Sequence, residues 1–152
     1  MNILMVCLGN ICRSPIAEGI MQHFITEKGL NWTVDSAGTS GFHNGAKPDL
    51  RSIAVAKSYG IDITNQQSRK FVSEDFERFD RIYVMDSSNY QNVLRLATSD
   101  DHRTKVSLLL NASDPGMNRN VPDPYYEGGF DGVYQMIDKA CQAVISQAQM
   151  RV

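Results

Sequence analysis

The sequence predicts a single α/β domain, residues 1–152, in which a four-stranded parallel sheet carries helices on both faces. Two observations lead to this prediction. Short apolar runs that suit buried strands alternate along the chain with segments whose apolar residues recur at helical spacing. The chain also lacks any linker, internal repeat or low-complexity tract, and its 152 residues suit one domain with a sizeable core.

The first half of the chain supplies two strands and two helices. Strands are predicted at about residues 2–6 and 32–36, and helices at about residues 15–28 and 48–60. The first helix carries an apolar stripe at helical spacing, and Gly29 follows its last turn. Glycine is the usual residue just past a helix C-terminus, so this helix has a defined end.

The second half of the chain repeats the alternation. An acidic turn at residues 73–79 leads into a strand at about residues 81–85, and Asp86 is suited to cap the helix that follows. A further strand is predicted at residues 106–110 and a long final helix at residues 130–150. Strands separated by helices imply crossover connections and therefore a parallel sheet.

Composition excludes several classes of protein. The formal net charge is −2 and the isoelectric point is about 5.9, so we expect neither a nucleic-acid nor a membrane partner. No apolar stretch approaches the ~20 residues needed to span a bilayer, and the N-terminus lacks the basic region of a signal peptide. The three cysteines do not form a disulfide framework, which favours a cytoplasmic location.

The most informative segment is Cys7-Leu8-Gly9-Asn10-Ile11-Cys12-Arg13-Ser14, which follows the first strand and precedes a helix start. Backbone N–H groups of a loop curled around an oxyanion, together with a helix N-terminus, form an anion site. Arg13 can clamp two phosphate oxygens with its guanidinium fork. The same positive field favours the thiolate form of Cys7. The segment therefore predicts a phosphate-binding loop with a nucleophile at its floor.

The residues around the Cys–Arg pair make this interpretation more specific than the pair alone, which occurs by chance in many proteins. Gly9 and Asn10 tolerate the left-handed backbone angles that such a loop requires. Ser14 is a suitable N-cap, and Pro15 then occupies the first helical position, where proline is favoured. We therefore expect the helix to begin directly after the loop.

A second segment, Pro122-Asp123-Pro124-Tyr125-Tyr126, lies between the fourth strand and the last helix. A loop there can reach the same sheet edge as Cys7, and the flanking prolines stiffen it. Its carboxyl group could protonate a leaving oxygen, and the two tyrosines could form the walls of a slot for an aromatic substrate. Taken alone, the segment is more often a solvated turn.

The two segments together resemble the low-molecular-weight protein tyrosine phosphatases, and the resemblance covers the whole chain. The positions that carry it are Val6 to Pro15, Ala17-Glu18, Asp35 to Thr39, His43, Gly45, Pro48-Asp49, Glu74 to Phe76, Met85-Asp86, Asn89 and Asp123 to Tyr126.

The resemblance implies hydrolysis of phosphotyrosine, and of small aryl phosphates, through a phosphocysteine intermediate. Cys7 would attack phosphorus while Asp123 protonates the phenolic oxygen, and Asp123 would then activate water. The phosphate oxygens would be held by the Arg13 side chain and by the backbone of Leu8, Gly9, Asn10, Ile11, Cys12, Arg13 and Ser14. No metal or other cofactor is implied. The expected partner is a tyrosine-phosphorylated protein, and the chain is expected to be a monomer or weak oligomer.

The resemblance also implies roles for supporting residues. Ser14 would donate a hydrogen bond to the Cys7 thiolate, and Asn10 would hold a strained left-handed conformation braced by Ser36. Many relatives place a histidine near Asn65 to support Asn10, so we expect an amide to replace it here.

The expected substrate cleft departs from the family at one wall. Its predicted residues are Leu8, Phe42, Tyr125 and Tyr126, and the family often has tryptophan where this chain has Phe42.

Cys12 is open to two interpretations. It could be a small apolar residue packed beneath the pocket. Alternatively, the curled loop could bring it near Cys7, since a disulfide needs Cα atoms about 4.4–6.8 Å apart. The resemblance implies such reversible protection from oxidation, with Cys7 and Cys12 as the redox pair and Cys12 as the resolving cysteine.

Two other classes of function remain as alternatives. A thiol-dependent arsenate reductase on the same fold would need further redox cysteines, and the only other one is Cys141, on the apolar stripe of the last helix. A non-catalytic phosphate-binding module would not need Cys7, Ser14 and Asp123 together.

Overall fold

The computed structural model describes residues 1–150, in which four strands alternate with helices. The strands are β1 (Asn2–Cys7), β2 (Thr33–Gly38), β3 (Arg81–Val84) and β4 (Val106–Leu108). The helices are α1 (Arg13–Glu27), α2 (Leu50–Ser58), α3 (Asp75–Arg78), α4 (Ser87–Leu94), α5 (Asp100–Lys105), α6 (Pro124–Glu127) and α7 (Phe130–Met150), with a 3₁₀ helix at Leu109–Asn111. All strand pairs are parallel and their order is β2-β1-β3-β4. This confirms the predicted fold class.

Strand β1 is buried on both faces, which explains its continuous apolar run. Ile3 and Met5 belong to the core that the sheet shares with α1 and α7. Leu4 and Val6 belong to a second core, on the face covered by α3 and α4. All four side chains are fully buried, as expected for a central strand of a parallel sheet with helices on both faces.

The helix signals in the sequence are largely confirmed. Gly29 and Gly60 adopt positive φ angles of 62° and 85° just after α1 and α2. Asp86 caps α4 by accepting a hydrogen bond from Asn89 N. The 21-residue α7 packs a stripe that includes Cys141 into the core. Within residues 1–150, no helix is long and apolar enough to cross a membrane.

Three short helices, α3, α5 and α6, are not predicted from the sequence, and α3 lies within the segment predicted as an acidic turn at residues 73–79. The strand predicted at residues 106–110 ends at Leu108, because Leu109–Asn111 forms the 3₁₀ helix. Helix α5 is capped by Ser99, whose hydroxyl accepts a hydrogen bond from His102 N. It has no buried residue, so it leaves no apolar period in the sequence. Helix α6 has only four residues, too few for any periodicity to be visible.

The strand order places the loop after β1 at a reversal of the chain's path. The chain runs from β1 to β2 on one side and later returns to β3 on the other, which opens a crevice at the carboxyl ends of these strands. Gly38, at the end of β2, allows the loop to pass closely. A Cβ atom there would lie 2.7 Å from Leu8 O and 3.0 Å from Asn10 N, so a larger residue would displace the loop.

Candidate active site

Residues 8–14 form a loop that presents unpartnered backbone N–H groups. Within residues 1–150, the N–H groups of Leu8, Gly9, Ile11 and Cys12 donate to no protein acceptor. The N-terminus of α1 follows directly and has no side-chain cap. Unpartnered N–H groups beside a helix N-terminus form a site that favours an anion.

Cys7 lies at the base of this loop as the last residue of β1 and is only 2% exposed. Its Sγ atom is 3.0 Å from Ser14 Oγ and accepts a hydrogen bond from Asn10 N at 3.3 Å. The expectation that Ser14 caps α1 is wrong, because the helix begins at Arg13 and Cys12 occupies the N-cap position. The Ser14 hydroxyl instead contacts Cys7, which places a hydrogen-bond donor beside the sulfur.

Asn10 adopts the left-handed conformation, with φ of 56°, and three hydrogen bonds hold its side chain. Its Nδ2 donates to Ser14 Oγ at 2.8 Å and to Ser36 Oγ at 2.9 Å. Its Oδ1 accepts from Arg69 N at 3.0 Å. A strained backbone conformation persists when the surroundings determine it in this way, so the loop is held in shape before any anion binds.

The expected amide support at Asn65 is wrong. The neighbouring amide of Gln66 donates to Pro15 O at 3.0 Å and does not reach Asn10. The network ends instead at Glu18, which accepts a hydrogen bond from Ser36 Oγ at 2.6 Å. Burial raises the pKa of Glu18 to about 7, although the Ser36 hydrogen bond opposes this rise.

The raised pKa of Glu18 predicts a pH-dependent contribution to stability. Between its ordinary value of 4.5 and about 7, the folded protein binds a proton that the unfolded chain does not. The contribution of protonated Glu18 to the free energy of unfolding is therefore complete below pH 4.5 and is lost as the pH rises through about 7. Its upper limit is about 3 kcal/mol. We expect Glu18→Gln to flatten the dependence of the unfolding free energy on pH in this window, as measured by denaturant titration.

Glu74→Gln is the matched control for this measurement, since Glu74 is exposed and its side chain forms no cap hydrogen bond on α3. It should leave the slope unchanged. A difference between wild type and Glu18→Gln that stays constant from pH 5 to pH 8 contradicts the prediction.

Arg13 is buried beside the loop, with only 2% exposure, and two other elements hold its guanidinium. Its Nη1 donates to Asp86 Oδ2 at 2.6 Å and to Val121 O at 2.9 Å. Burial opposes its charge, but the negative charges of Cys7 and Asp86 outweigh this effect and raise the pKa of Arg13. The guanidinium is therefore a fixed, permanently charged group at the phosphate loop.

The sequence pattern predicts only a capping role for Asp86, and the structure adds its contact with Arg13. The same carboxylate does both, because Oδ1 caps α4 and Oδ2 binds Arg13. Its position directly after a central strand was the available signal, since the carboxyl ends of parallel strands meet at the ligand site.

Asp123 reaches the same place from the other end of the chain. Its Oδ2 lies 3.5 Å from Arg13 Nη2, and its Oδ1 caps α6 by accepting from Tyr125 N at 3.1 Å. The preceding segment is tied to the sheet because Val121 N donates to Met85 O at 2.8 Å. The structure therefore brings Cys7, Arg13 and Asp123 together, as the sequence predicts.

A cavity of about 330 Å³ opens above Cys7. Its lining residues are Cys7, Leu8, Gly9, Ile11, Cys12, Arg13, Ser40, Phe42, His43, Asp123, Tyr125 and Tyr126. All four predicted cleft residues are among them, and Phe42 and Tyr126 are largely exposed at its rim. Ser40 and His43 also line the cavity and are not among the predicted cleft residues. The His43 ring lies 5.4 Å from that of Phe42 and 6.3 Å from that of Tyr125, so it joins the two aromatic walls.

Cys12 is buried beneath the cavity, and both it and Cys7 are free thiols. Burial raises the pKa of Cys12 to about 12. Cys12 is therefore protonated at neutral pH and is not a nucleophile in the reduced protein.

Comparisons with known proteins agree with this geometry. The family model "Low molecular weight phosphotyrosine protein phosphatase" matches residues 2–151. The chain is 43% identical over 143 residues to the enzyme of that name from Schizosaccharomyces pombe, covering 90% of each chain. It is 38% identical over 151 residues to the human protein of the same name, covering 97% of this chain and 95% of the other.

A solved structure extends the likeness to three dimensions. A protein tyrosine phosphatase from Entamoeba histolytica, crystallised with Hepes in the active site, superimposes with a TM-score of 0.91 at 38% sequence identity. The match covers 99% of this chain and 97% of the other. The family model and the relatives both span nearly the whole sequence, so the chain belongs to the low molecular weight phosphotyrosine protein phosphatases, a family of hydrolases.

Proposed function

We propose that this protein hydrolyses phosphotyrosine in proteins through a phosphocysteine intermediate, with Cys7, Arg13 and Asp123 as the catalytic residues. The observation that carries the proposal is the loop of unpartnered N–H groups around Cys7, with the Asp123 carboxyl group against Arg13 at its edge. Nucleophile, anion site and proton donor thus come from one chain, which supports a monomer or weak oligomer as the active species.

In the first step, the Cys7 thiolate attacks phosphorus and forms the S–P bond while the P–O bond to the phenol breaks. Asp123 gives its proton to the departing oxygen, so a neutral phenol leaves. Arg13 and the loop N–H groups hold the three remaining oxygens and stabilise the charge that develops on them. The walls formed by Phe42 and Tyr125 suit a flat aromatic ring.

In the second step, Asp123 takes a proton from water as the water oxygen attacks phosphorus and the S–P bond breaks. The Cys7 thiolate leaves more readily because the Ser14 hydroxyl, 3.0 Å from Sγ, can donate a hydrogen bond to it. Inorganic phosphate then departs and the enzyme is restored with both groups in their starting states.

Arsenate reduction on the same site is less well supported. It requires a relay of thiols that carries oxidising equivalents away from Cys7. Cys141 is fully buried on the core face of α7, and burial raises its pKa well above the ordinary range. Cys141 is therefore a packing residue, and the sequence has no other cysteine that could accept oxidising equivalents from Cys7 and Cys12.

The substrate proposal is tested with two peptides of identical sequence that carry phosphotyrosine or phosphoserine at the same position. We expect kcat/KM to favour the phosphotyrosyl peptide by at least about 100-fold, because the short phosphoserine cannot bring phosphorus to Cys7 while filling the aromatic slot. Equal rates contradict the proposed substrate class. Thioredoxin-coupled reduction of arsenate in place of phosphate release would support the alternative.

We also propose that Cys7 and Cys12 form a reversible disulfide. Peroxide would oxidise the Cys7 thiolate to a sulfenic acid, and Cys12 would displace water from it, giving up its proton to the departing oxygen. Mapping of peptides after mild peroxide treatment should recover a Cys7–Cys12 crosslink, and a dithiol should restore activity. Recovery of Cys7 only as sulfinic or sulfonic acid contradicts this proposal.

The free thiols also support a cytoplasmic location, where cysteines stay reduced. The net charge of −2 gives no electrostatic reason for a nucleic-acid or anionic-membrane partner.

A further inference from the structure

Arg51 lies beside the active site and forms a bridge that connects Asp49 with Tyr125 and Phe130. The proposed mechanism assigns this residue no role. Its guanidinium carbon lies 4.7 Å from the centre of the Phe130 ring and 5.6 Å from that of Tyr125. Both distances are within the range of a cation–π interaction. The Arg51 side chain thus contacts two aromatic residues within residues 122–130, which we call the Asp123 segment.

The other side of the guanidinium is fixed by Asp49. Arg51 Nε donates to Asp49 Oδ1 and Nη2 donates to Asp49 Oδ2, each at 3.0 Å. These two hydrogen bonds lower the pKa of Asp49, so Asp49 and Arg51 form a two-pronged ion pair at neutral pH, here called the Asp49–Arg51 fork. Asp49 N in turn donates to Ile11 O at 2.8 Å, which attaches this fork to the phosphate loop.

The segment contacted by Arg51 contains two residues that favour movement. Gly128 and Gly129 have φ angles of 76° and 77°, and they separate Tyr125 from Phe130. Successive glycines allow many backbone conformations, so the chain between α6 and α7 is poorly restrained by its own sequence. Arg51 contacts one aromatic ring on each side of this pair.

Tyr125 couples the bridge to the acid itself. Its backbone N–H donates to Asp123 Oδ1 at 3.1 Å, while its ring lies under the Arg51 guanidinium. A shift of Tyr125 would therefore move the donor that orients the Asp123 carboxyl group. Arg51 forms no ion pair or hydrogen bond with Asp123 or Cys7, so its shortest route to the Asp123 carboxyl group is through Tyr125.

We propose that Arg51 is a positioning residue for the general acid: it ties the Asp123 segment, through Tyr125 and Phe130, to the phosphate loop, through Asp49. The inference rests on the proposed function, because it assigns Arg51 a part in proton transfer by Asp123. Without the bridge, the segment samples conformations in which the carboxyl group is displaced from the leaving oxygen, and displacements of about 1 Å can cost up to 100-fold in rate.

The test is the rate of phenol release in rapid-mixing experiments with a series of aryl phosphates whose phenols differ in acidity. Arg51→Ala should slow this first step by about tenfold or more for weakly acidic phenols, which need the proton. The effect should vanish for strongly acidic phenols. Inhibition by inorganic phosphate should be unchanged, because the phosphate loop keeps its contacts. Arg51→Lys should recover part of the rate, since an ammonium keeps the charge but not the planar fork.

A double-variant measurement makes the assignment specific. Adding Arg51→Ala to Asp123→Asn should cause no further loss, because the acid that Arg51 positions is already absent. The matched control is Arg103→Ala: that side chain is also 52% exposed and also pairs with an aspartate, Asp100, but on α5. It should leave every rate unchanged.

The outcomes separate this inference from the proposed function. Suppose that the rate loss caused by Asp123→Asn depends on the leaving group. If Arg51→Ala then slows all substrates equally, or slows the Asp123→Asn protein further, the positioning role of Arg51 is wrong. If Asp123→Asn itself shows no dependence on the leaving group, the assignment of the general acid fails.

Discussion

Cys7→Ser is expected to lower the turnover of aryl phosphates by at least about 10⁴-fold while inorganic phosphate still binds. The loss follows because a serine hydroxyl at this position has no base to activate it and does not form the S–P bond of the first step. Binding persists because the loop N–H groups and Arg13 remain, and the negative charge of the thiolate, which repels phosphate, is gone. Steady-state hydrolysis and calorimetric titration with phosphate measure the two effects.

Cys141→Ser is the matched control, since it makes the same chemical change in the buried face of α7. It should retain the wild-type kcat per folded molecule, with a cost in stability of about 1–3 kcal/mol from the buried hydroxyl. Hydrolysis by pure Cys7→Ser at more than about 10⁻⁴ of the wild-type rate contradicts the assignment of Cys7.

Asp123→Asn is expected to slow phosphotyrosine hydrolysis by about 10²–10⁴-fold, and the loss should shrink as the leaving phenol becomes more acidic. Asparagine keeps the capping oxygen that accepts from Tyr125 N, so α6 should remain folded. What is lost is the proton. Phenols that leave readily as anions do not need it, whereas the tyrosine phenolate does.

The rate of the first step, followed by rapid mixing across a series of aryl phosphates, measures this dependence. A burst of phenol should also appear with good leaving groups, since the second step loses its base. Asp100→Asn is a suitable control because this carboxylate is exposed on α5. A ratio of wild-type to variant rates that stays constant across the series means that another residue donates the proton.

The fold class and the two reactive segments were predictable because they are local features of the sequence. The apolar run Ile3 to Val6 indicates a strand buried on both faces, and the alternation with helices indicates a parallel sheet. In such a sheet the loop after β1 has to lie at the carboxyl edge. Asp123 could be placed at the same edge because it lies in a connection between a strand and a helix.

Helix α1 begins at Arg13, two residues before the predicted start at Pro15, at a site where a local rule fails. Ser14 has the composition of an N-cap, but its hydroxyl faces Cys7 and Asn10 instead of the helix N–H groups. The helix N-terminus is thereby left open toward the loop. Departures from local capping rules are expected where a functional site uses the same groups.

The supporting contacts depend on tertiary structure, because they join residues that the sequence keeps far apart. Nothing local to Glu18 indicates that Ser36 carries the Asn10 network to it. The position of Asp86 after a central strand places it at the edge of the site, but does not indicate that its carboxylate binds Arg13, 73 residues away. Arg51 meets Phe130 only because α2 and the start of α7 lie beside the loop. Periodicity and residue type report which face of an element is buried, whereas the pairing of side chains between elements depends on how those elements pack. The sequence by itself therefore determines the sheet, the phosphate loop and the reactive groups, and the packing determines which residues hold them in place.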